Sequence, residues 1–302
     1  MARYESLASL AVEQGCRVLY DEPMSRHTTF KIGGPAPLFV AADSSGVLAR
    51  LVALCHREAL PFFLLGNGSN LLVSDLGMDC AVLHLNENTA EIRREENDLV
   101  CGAGAALSAL AAFAQKQGLS GMEFSWGIPG TVGGAVFMNA GAYGGEMKDV
   151  VTRCGHVEPD GSMGELAGEG LRFDYRHSAY ADNGCVVAQV RVRLTPGDAE
   201  EIGARMKEIM DRRKFKQPLE YPSAGSVFKR PQGYFAGALI EQCGLKGRMI
   251  GGAQVSEKHA GFIVNRGGAT CDDVRRLVAL VQETVLRETG VVMECEIKTV
   301  GR

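Results

Sequence analysis

The sequence predicts an α+β protein in two parts. A two-lobed α+β unit reaches to about residue 197, and a smaller α+β unit fills residues 198–302. Three observations carry this. Apolar strand, amphipathic helix and apolar strand follow one another between residues 36 and 65, the pattern of a βαβ unit. A second set of short strand-like segments begins at residue 81. Pro196-Gly197-Asp198 then punctuates the chain, and a long helix opens a shorter run of helices and strands.

Residues 3–14 place Leu7, Leu10 and Ala11 at helical spacing and stop at Gly15, a short amphipathic helix. TTFKIGGPAPLFVAA predicts two short strands around a Gly33-Gly34-Pro35 turn. From Ser44 to Glu58, Val47, Leu48, Leu51, Val52 and Leu54 mark a crossover helix with Ser44 or Ser45 as its cap. The strand Phe62 to Leu65 leads into a tight loop, GNGSN, and then a second apolar strand. AVLHL, AEIRRE and LVCGAG follow as strands, then the helix LSALAAFAQKQG closed by Gly118. DVVTRCGHVEPDGSMGELAG is a hairpin turning at Pro159-Asp160-Gly161. LRFDYRHSAY is a helix or loop, and CVVAQVRVRL is a long strand. After residue 198 come a helix to Lys216, a proline-bounded loop QPLEYPSAGSVFKRP and a short helix from Ala236. A strand from Gly261 to Asn265, a helix from Asp272 to Thr289 and a last strand VVMECEIKTVG complete the chain.

Charged residues make up 23% and hydrophobic residues 46%, the profile of an ordinary soluble globular chain. Glycine, 38 of 302, is well above the usual share and favours many tight turns or a nucleotide site. Net charge is −4, and the densest basic knot, Arg212, Arg213, Lys214 and Lys216, reads as a solvated helix end. Nucleic acid is therefore not an expected partner. The nine cysteines are odd in number and none forms C-x-x-C. They read as buried free thiols of a reducing cytoplasm, and no metal ligands are assigned. No segment is long and apolar enough for a signal peptide or a membrane span, so no membrane association is expected.

One stretch organises the rest. WGIPGTVGGAVFMNAGAYGGEMK, residues 126–148, carries seven glycines among Ile128, Val132, Val136, Phe137 and Met138. Glycine amid apolar residues marks backbone that adopts positive φ or approaches something closely. Two readings stay open: tight turns between buried strands, or main-chain N–H and C=O groups set against a flat ligand. GNGSN, at the carboxyl end of a βαβ strand, offers small residues, main-chain N–H groups, Asn67 and Asn70, which suits a pyrophosphate. A plain β-turn would also use G-N-G. Neither a Walker loop nor a G-x-G-x-x-G fingerprint is present.

The blocks TTFKIGGPA, LLGNGSNLLV, GIPGTVGGAVFMNAGAYG, FDYRHS, PSAGSVFKRP, AGALIEQCGLKG, GGAQVSEKHAGFIVN and ECEIKTVG occur in this order. Together they resemble the UDP-N-acetylenolpyruvoylglucosamine reductases (MurB family) of peptidoglycan synthesis, over nearly the whole chain. The resemblance implies a two-lobed FAD-binding domain of the vanillyl-alcohol-oxidase (PCMH) type plus a smaller α+β substrate domain. It implies an N-terminal helix in residues 1–20, an FAD-binding domain in 21–197 with lobes of about 21–80 and 81–197, and a substrate-binding domain in 198–302. The chain looks like the family's shorter form, without its tyrosine-bearing loop. The implied reaction uses NADPH to reduce FAD, which reduces the enolpyruvyl ether of a UDP-sugar to the lactyl ether of UDP-N-acetylmuramate.

Hydride addition to the alkene builds negative charge on the other carbon and on the carboxylate oxygens. Such a site needs hydrogen-bonding or positive groups at those oxygens and one proton donor at the carbon. Arg176, in FDYRHS, matches the family's catalytic arginine, and its guanidinium suits a carboxylate. Ser226, in AGSVF, matches the proton donor; Ser223 reads as the turn residue. Strand alternation puts Glu294 and Glu296 on one face, and the family pattern chooses Glu296. For FAD the candidates are Gly66, Asn67, Gly68, Ser69 and Asn70, then Ile128, Pro129, Gly130, Thr131, Gly133, Gly134, Asn139, Gly141 and Ala142. Gly102 and Gly104 serve either FAD or a simple strand-to-helix turn. Residues 66–70 contain no histidine, so the FAD is expected to be non-covalent. Lys216, Lys229 and Arg230 are the candidates for the UDP pyrophosphate. A monomeric cytoplasmic enzyme is expected. Two competing readings are another FAD-dependent oxidase of the same fold, which would reduce oxygen rapidly, and a nucleotide-binding protein without redox activity, which would purify colourless.

Overall fold

The structure is a computed structural model that describes residues 2–302. The chain divides into two compact units, and neither is continuous in sequence. The first combines the described residues up to Tyr20 with Leu38–Asn67 and Cys80–Asp211. The second adds Asp21–Pro37 and Gly68–Asp79 to Arg212–Arg302.

In the first unit, helix α1 (Glu5–Glu13) buries Leu7, Ala8 and Ala11, as its spacing dictates. Strands Pro35–Ala42, Ala81–Leu85 and Phe62–Leu65 lie parallel, with Ala81–Leu85 between the other two. Helix α2 (Ser45–Arg57) makes the crossover, and Ser44 Oγ caps it by accepting from Val47 N at 3.2 Å. The second sheet is antiparallel, in the order Met163–Ala167, Val151–Val157, Val186–Arg193, Asp98–Gly102, Ile92–Glu95. Its hairpin turns at residues 159–161, where Gly161 has φ 85° and Asp160 Oδ1 accepts from Ser162 N at 2.8 Å. Helix α3 (Leu107–Lys116) and helix α4 (Val132–Phe137) add to the same core, in which Leu38, Leu48, Leu83, Leu99, Leu110, Val132 and Val190 are fully buried.

Asp98 sits at the start of its strand beside two arginines from the neighbouring strand. Arg193 Nε donates to Oδ1 at 2.8 Å and Arg191 Nη1 to Oδ2 at 3.2 Å. The Arg193 bonds first, with Arg191 adding to them against the cost of burial, hold the Asp98 carboxyl below its ordinary value. A depressed carboxyl contributes stability that is present above the unfolded value of about 3.9 and is lost as pH falls through the folded one. Asp98→Asn should therefore lower the melting temperature at pH 7, and the gap to the parent should close below about pH 4. Thermal unfolding scans across that range check it; a gap independent of pH would show that packing, not charge, carries the effect.

The second unit holds an antiparallel sheet in the order Ser223–Ser226, Phe262–Asn265, Ala253–Val255, Met249–Ile250. Helix α6 (Ala236–Gln242) and helix α7 (Cys271–Thr289) complete its core. A capping box starts α7: Thr270 Oγ1 accepts from Asp273 N at 3.0 Å and Asp273 Oδ2 from Thr270 N at 3.0 Å. Gly290, at φ 71°, ends it. The early segments are stitched in by polar bonds. Thr29 Oγ1 donates to Ser223 O at 2.7 Å, Asn265 Nδ2 to Phe30 O at 3.1 Å, and Cys271 N to Asp75 Oδ1 at 2.9 Å. Phe30, Ile32 and Leu72 enter this core with Leu277 and Val281.

Four expectations are corrected. Thr28–Ile32 is not a strand: Lys31 has φ 57°, and the segment turns so that Phe30 and Ile32 face the core. The last strand spans only Lys298–Val300, pairing in parallel with Leu71–Val73, because residues 291–297 run past strand Ser223–Ser226 with only a single bridge, Phe228 to Cys295. Arg213 is buried within a basic knot that reads as solvated. Cys295 is exposed, while Cys16, Cys55, Cys80, Cys101, Cys154 and Cys271 are buried free thiols.

Candidate functional site

In the first unit, three of the segments expected at the cofactor come together. Residues 103–107 pair with the start of the glycine-rich stretch: Leu107 N donates to Gly130 O at 2.9 Å, Val132 N to Ala105 O at 2.8 Å, and Gly133 N to Ala103 O at 2.9 Å. Asn67 Nδ2 donates to Pro129 O at 3.3 Å, which ties the GNGSN loop to the same place. Thr131 Oγ1 caps α4 by accepting from Gly134 N at 3.3 Å.

The glycines here divide by what surrounds them. A Cβ at Gly133 would lie 2.8 Å from Ala103 Cβ, and one at Gly66 would run into Thr131 Oγ1. Gly102 and Gly104 are closed off by Thr89, which explains both as packing glycines without any ligand. Gly134 is different. It is exposed, its φ is not positive, and the only atom near its missing Cβ is Thr131 Oγ1 at 3.3 Å. A Cβ there would press on that one hydroxyl and on no other side chain, so glycine at residue 134 leaves backbone bare at an exposed surface. The exposed Pro129 and half-buried Ile128 flank that surface.

Asn139 is placed differently from expectation. It is fully buried at φ 42°, and its side chain is engaged within the protein. Nδ2 donates to Glu146 Oε2 at 2.7 Å and to Asp174 O at 3.0 Å, and Oδ1 accepts from Lys148 N at 2.9 Å. It therefore clamps the hairpin Gly141–Glu146 to the turn that carries Arg176. That turn is closed by a two-way bond between Asp174 and His177, 3.1 Å in each direction. Arg176 sits at its tip with φ 57°, a left-handed conformation costing on the order of 1 kcal/mol for a side-chain residue. Its Nη2 reaches Gly141 O at 3.4 Å, and its guanidinium lies 5.2 Å from the Tyr175 ring centroid. Arg176 is thus strained into place against the glycine-rich stretch.

In the second unit, Ser226 and Glu296 are brought together by backbone. The ladder between Ser223–Ser226 and Phe262–Asn265 slips between Ser223 and Ser226, and Gly225 takes φ 79°. Such a bulge re-aims side chains, and Ser226 emerges exposed. Next to it, Val227 O accepts from Glu296 N at 2.7 Å, and Glu294 O accepts from Lys229 N at 2.8 Å. Asn70 binds the same segment twice: its Nδ2 donates to Glu296 O at 3.2 Å and its O accepts from Lys298 N at 2.9 Å. Glu294 is exposed and bonded by Lys229 Nζ at 3.2 Å, while Glu296 is half-buried, which separates two residues that alternation alone left equivalent. Lys298 is a neighbour not singled out from the sequence. Burial first, and then the charge of Lys229, hold its ammonium below the ordinary lysine value. Gly68 belongs to this unit, and a Cβ there would strike the His27 carbonyl oxygen. Of the basic candidates, Lys229 lies beside Ser226 and Glu296, Lys216 is exposed on the last turn of α5 (Ala199–Lys216), and Arg230 stacks on Phe235 at 4.0 Å.

Comparison with known proteins extends this picture. A family model described as an FAD binding domain matches residues 36–167. One described as the C-terminal domain of UDP-N-acetylenolpyruvoylglucosamine reductase matches residues 217–300. A UDP-N-acetylenolpyruvoylglucosamine reductase of Agathobacter rectalis is 47% identical over 296 residues, covering 94% of each chain. That of Alkaliphilus metalliredigens is 46% identical over 298 residues, covering 99% of this chain and 97% of its own. The crystal structure of the Thermus caldophilus reductase superposes with a TM-score of 0.81 at 38% identity, covering 94% of this chain and 98% of that one. Berberine bridge enzyme from Eschscholzia californica shares the fold alone, with a TM-score of 0.50 at 16% identity over 64% of this chain and 44% of its own.

Proposed function

This chain belongs to the UDP-N-acetylenolpyruvoylglucosamine reductase family, and from that premise we propose how its residues divide the work. The protein is an FAD-containing oxidoreductase that reduces the enolpyruvyl ether of UDP-N-acetylglucosamine in peptidoglycan precursor synthesis. Residues 21–197 serve the flavin and residues 198–302 the substrate. NADPH is the reductant, the FAD is non-covalent, and the enzyme works as a cytoplasmic monomer without nucleic acid. Among the described residues no helix is long and apolar enough to cross a membrane.

The first unit fits a flavin at the bare backbone of Gly134, with Gly66, Asn67, Ile128, Pro129, Gly130, Thr131, Gly141 and Ala142 around it. Gly68, Ser69 and Asn70 complete the residues assigned to the flavin. FAD, when bound, supplies the hydride. The chain's own groups do the rest. Arg176 holds the substrate carboxylate through its planar fork and stabilises the charge that develops on it. Ser226 delivers a proton to the carbon that becomes carbanion-like. Glu296, beside it, hydrogen-bonds the same region of the substrate. Lys229, Arg230 and Lys216 contact the pyrophosphate.

The observation that carries this reading is the pairing of Ser226 with the Glu296 segment through Val227 O, inside the residues that match the reductase's C-terminal domain. Incubation with NADPH and the enolpyruvyl UDP-sugar, followed by mass spectrometry, tests it. The product should have gained one hydride and one proton; unchanged substrate would refute it. Arg176→Lys should then impair turnover strongly, because lysine keeps the charge and loses the bidentate geometry. Steady-state kinetics near those of the parent would remove Arg176 from this role.

A further inference from the structure

We propose that His156, Glu158 and Cys185 form a binding site for a divalent transition-metal ion of the Zn²⁺ class, at the end of the antiparallel sheet of the first unit. His156 lies on strand Val151–Val157, Glu158 just beyond it, and Cys185 just before the neighbouring strand Val186–Arg193. Their candidate ligand atoms all lie within 4.8 Å of one another. His156 Nε2 is 2.8 Å from Glu158 Oε1, and Cys185 Sγ donates to Glu158 Oε2 at 3.0 Å. Nitrogen, oxygen and sulfur donors in one group are what a borderline-soft ion such as Zn²⁺ takes.

The histidine is already oriented for this. Tyr180 OH lies 3.0 Å from His156 Nδ1 and 3.3 Å from Cys154 O; when it donates to Cys154 O, its oxygen can accept from Nδ1–H. In that tautomer Nε2 is the lone-pair nitrogen, the arrangement that supports a metal-bound histidine. That lone pair then faces a carboxylate oxygen at 2.8 Å. Without an ion, the other tautomer serves the same contact, with Nε2–H donating to Glu158 Oε1; a metal ion would take the place of that proton. The group is also kept open from the other side. Gly164 is the cross-strand partner of His156, and a Cβ on it would lie 2.6 Å from Glu158 Oε1 and collide with His156 Nε2. Its φ is not positive, so the backbone does not require glycine there.

On binding, the thiol proton leaves to solvent and the ion takes three protein ligands at about 2.0–2.3 Å, which spreads the carboxylate and the imidazole slightly. The fourth position stays open. The ion would tie the ends of two sheet strands that the chain joins only through residues 158–185, and it would raise stability by mass action on the folded state. The three ligands are scattered between residues 156 and 185 with no metal-site spacing, which is why the chain alone does not show them.

The test uses the flavin-loaded full-length protein, reduced with a non-chelating phosphine. Co²⁺ is added while absorbance is followed at wavelengths beyond the flavin bands, and Zn²⁺ is then used to displace it. One equivalent of Co²⁺ should produce ligand-field bands, and Zn²⁺ should bleach them, since it binds such sites more tightly. Cys185→Ser should weaken binding by more than about 100-fold, because even outer-shell losses cost 10–100-fold. Should that variant fail to fold, Gly164→Ala keeps all three ligand residues but pushes His156 and Glu158 out of position, and it should abolish the bands. Absence of the bands in the parent would mean that a hydrogen-bonded His156–Glu158 pair without an ion fills the role, and the proposal falls. Bands that persist in Cys185→Ser or in Gly164→Ala would place the ion elsewhere and overturn it equally.

Discussion

Replacing Ser226 by alanine should slow the oxidation of reduced flavin by the enolpyruvyl substrate by ~10²–10⁴-fold, the contribution of a positioned general acid. Reduction of the flavin by NADPH needs no proton from Ser226 and should run near its normal rate. The structure supports a role of this kind, since the slipped ladder at Gly225 turns Ser226 outward beside the Glu296 segment, while Ser223 is spent in the sheet, its carbonyl accepting from Thr29. Serine is a weak acid, and its alkoxide needs immediate stabilisation. Lys229, three residues beyond Ser226 and with its backbone N bonded to the Glu294 carbonyl, is the candidate helper. Ser226→Cys should recover part of the rate because a thiol is the stronger acid. Ser223→Ala should have a mild effect. Stopped-flow absorbance on each half-reaction separates these cases. Equal slowing of both halves by Ser226→Ala would make the residue structural.

Gly134→Val should abolish flavin binding while leaving the fold intact. The added Cβ meets Thr131 Oγ1 at 3.3 Å and no other side chain, so the collision expected of valine is with the bound flavin. The absorbance ratio of flavin to protein should fall to baseline, with unchanged far-ultraviolet circular dichroism. Gly68→Val is the contrast. At φ 57° and against the His27 carbonyl, it should destabilise the second unit itself, lowering the melting temperature whether or not flavin is present. A yellow, active Gly134→Val protein would show that residue 134 faces no cofactor.

Local signals in the sequence carried the helices and most strands well. Ser44 before an apolar periodicity is a cap, Gly118 after one is a stop, and Pro159-Asp160-Gly161 between two alternating runs is a hairpin, because each is decided by neighbouring residues. What stayed hidden depends on distant partners. Leu71–Val73 pairs with Lys298–Val300 more than two hundred residues away, and nothing within either segment specifies that choice. Helix α4 contains two adjacent glycines, which disfavour helix, and forms because Thr131 caps it and Ala103 leaves room only for glycine at residue 133. The glycine-rich stretch could be marked as important from sequence but not sorted. Only contacts distinguish Gly102, Gly104 and Gly133, which are demanded by packing, from Gly134, which is not. Asn139 illustrates the same limit: an asparagine in a ligand-like motif proves to be the clamp that holds the Arg176 turn.

The central claim is that this flavoprotein passes hydride from NADPH to an enolpyruvyl UDP-sugar, and anaerobic flavin absorbance tests it most directly. NADPH added without oxygen should bleach the flavin band. The enolpyruvyl UDP-sugar added next should restore it with one equivalent consumed per flavin. A band that bleaches and then returns only on admitting oxygen would contradict the claim and make the protein an oxidase of the same fold.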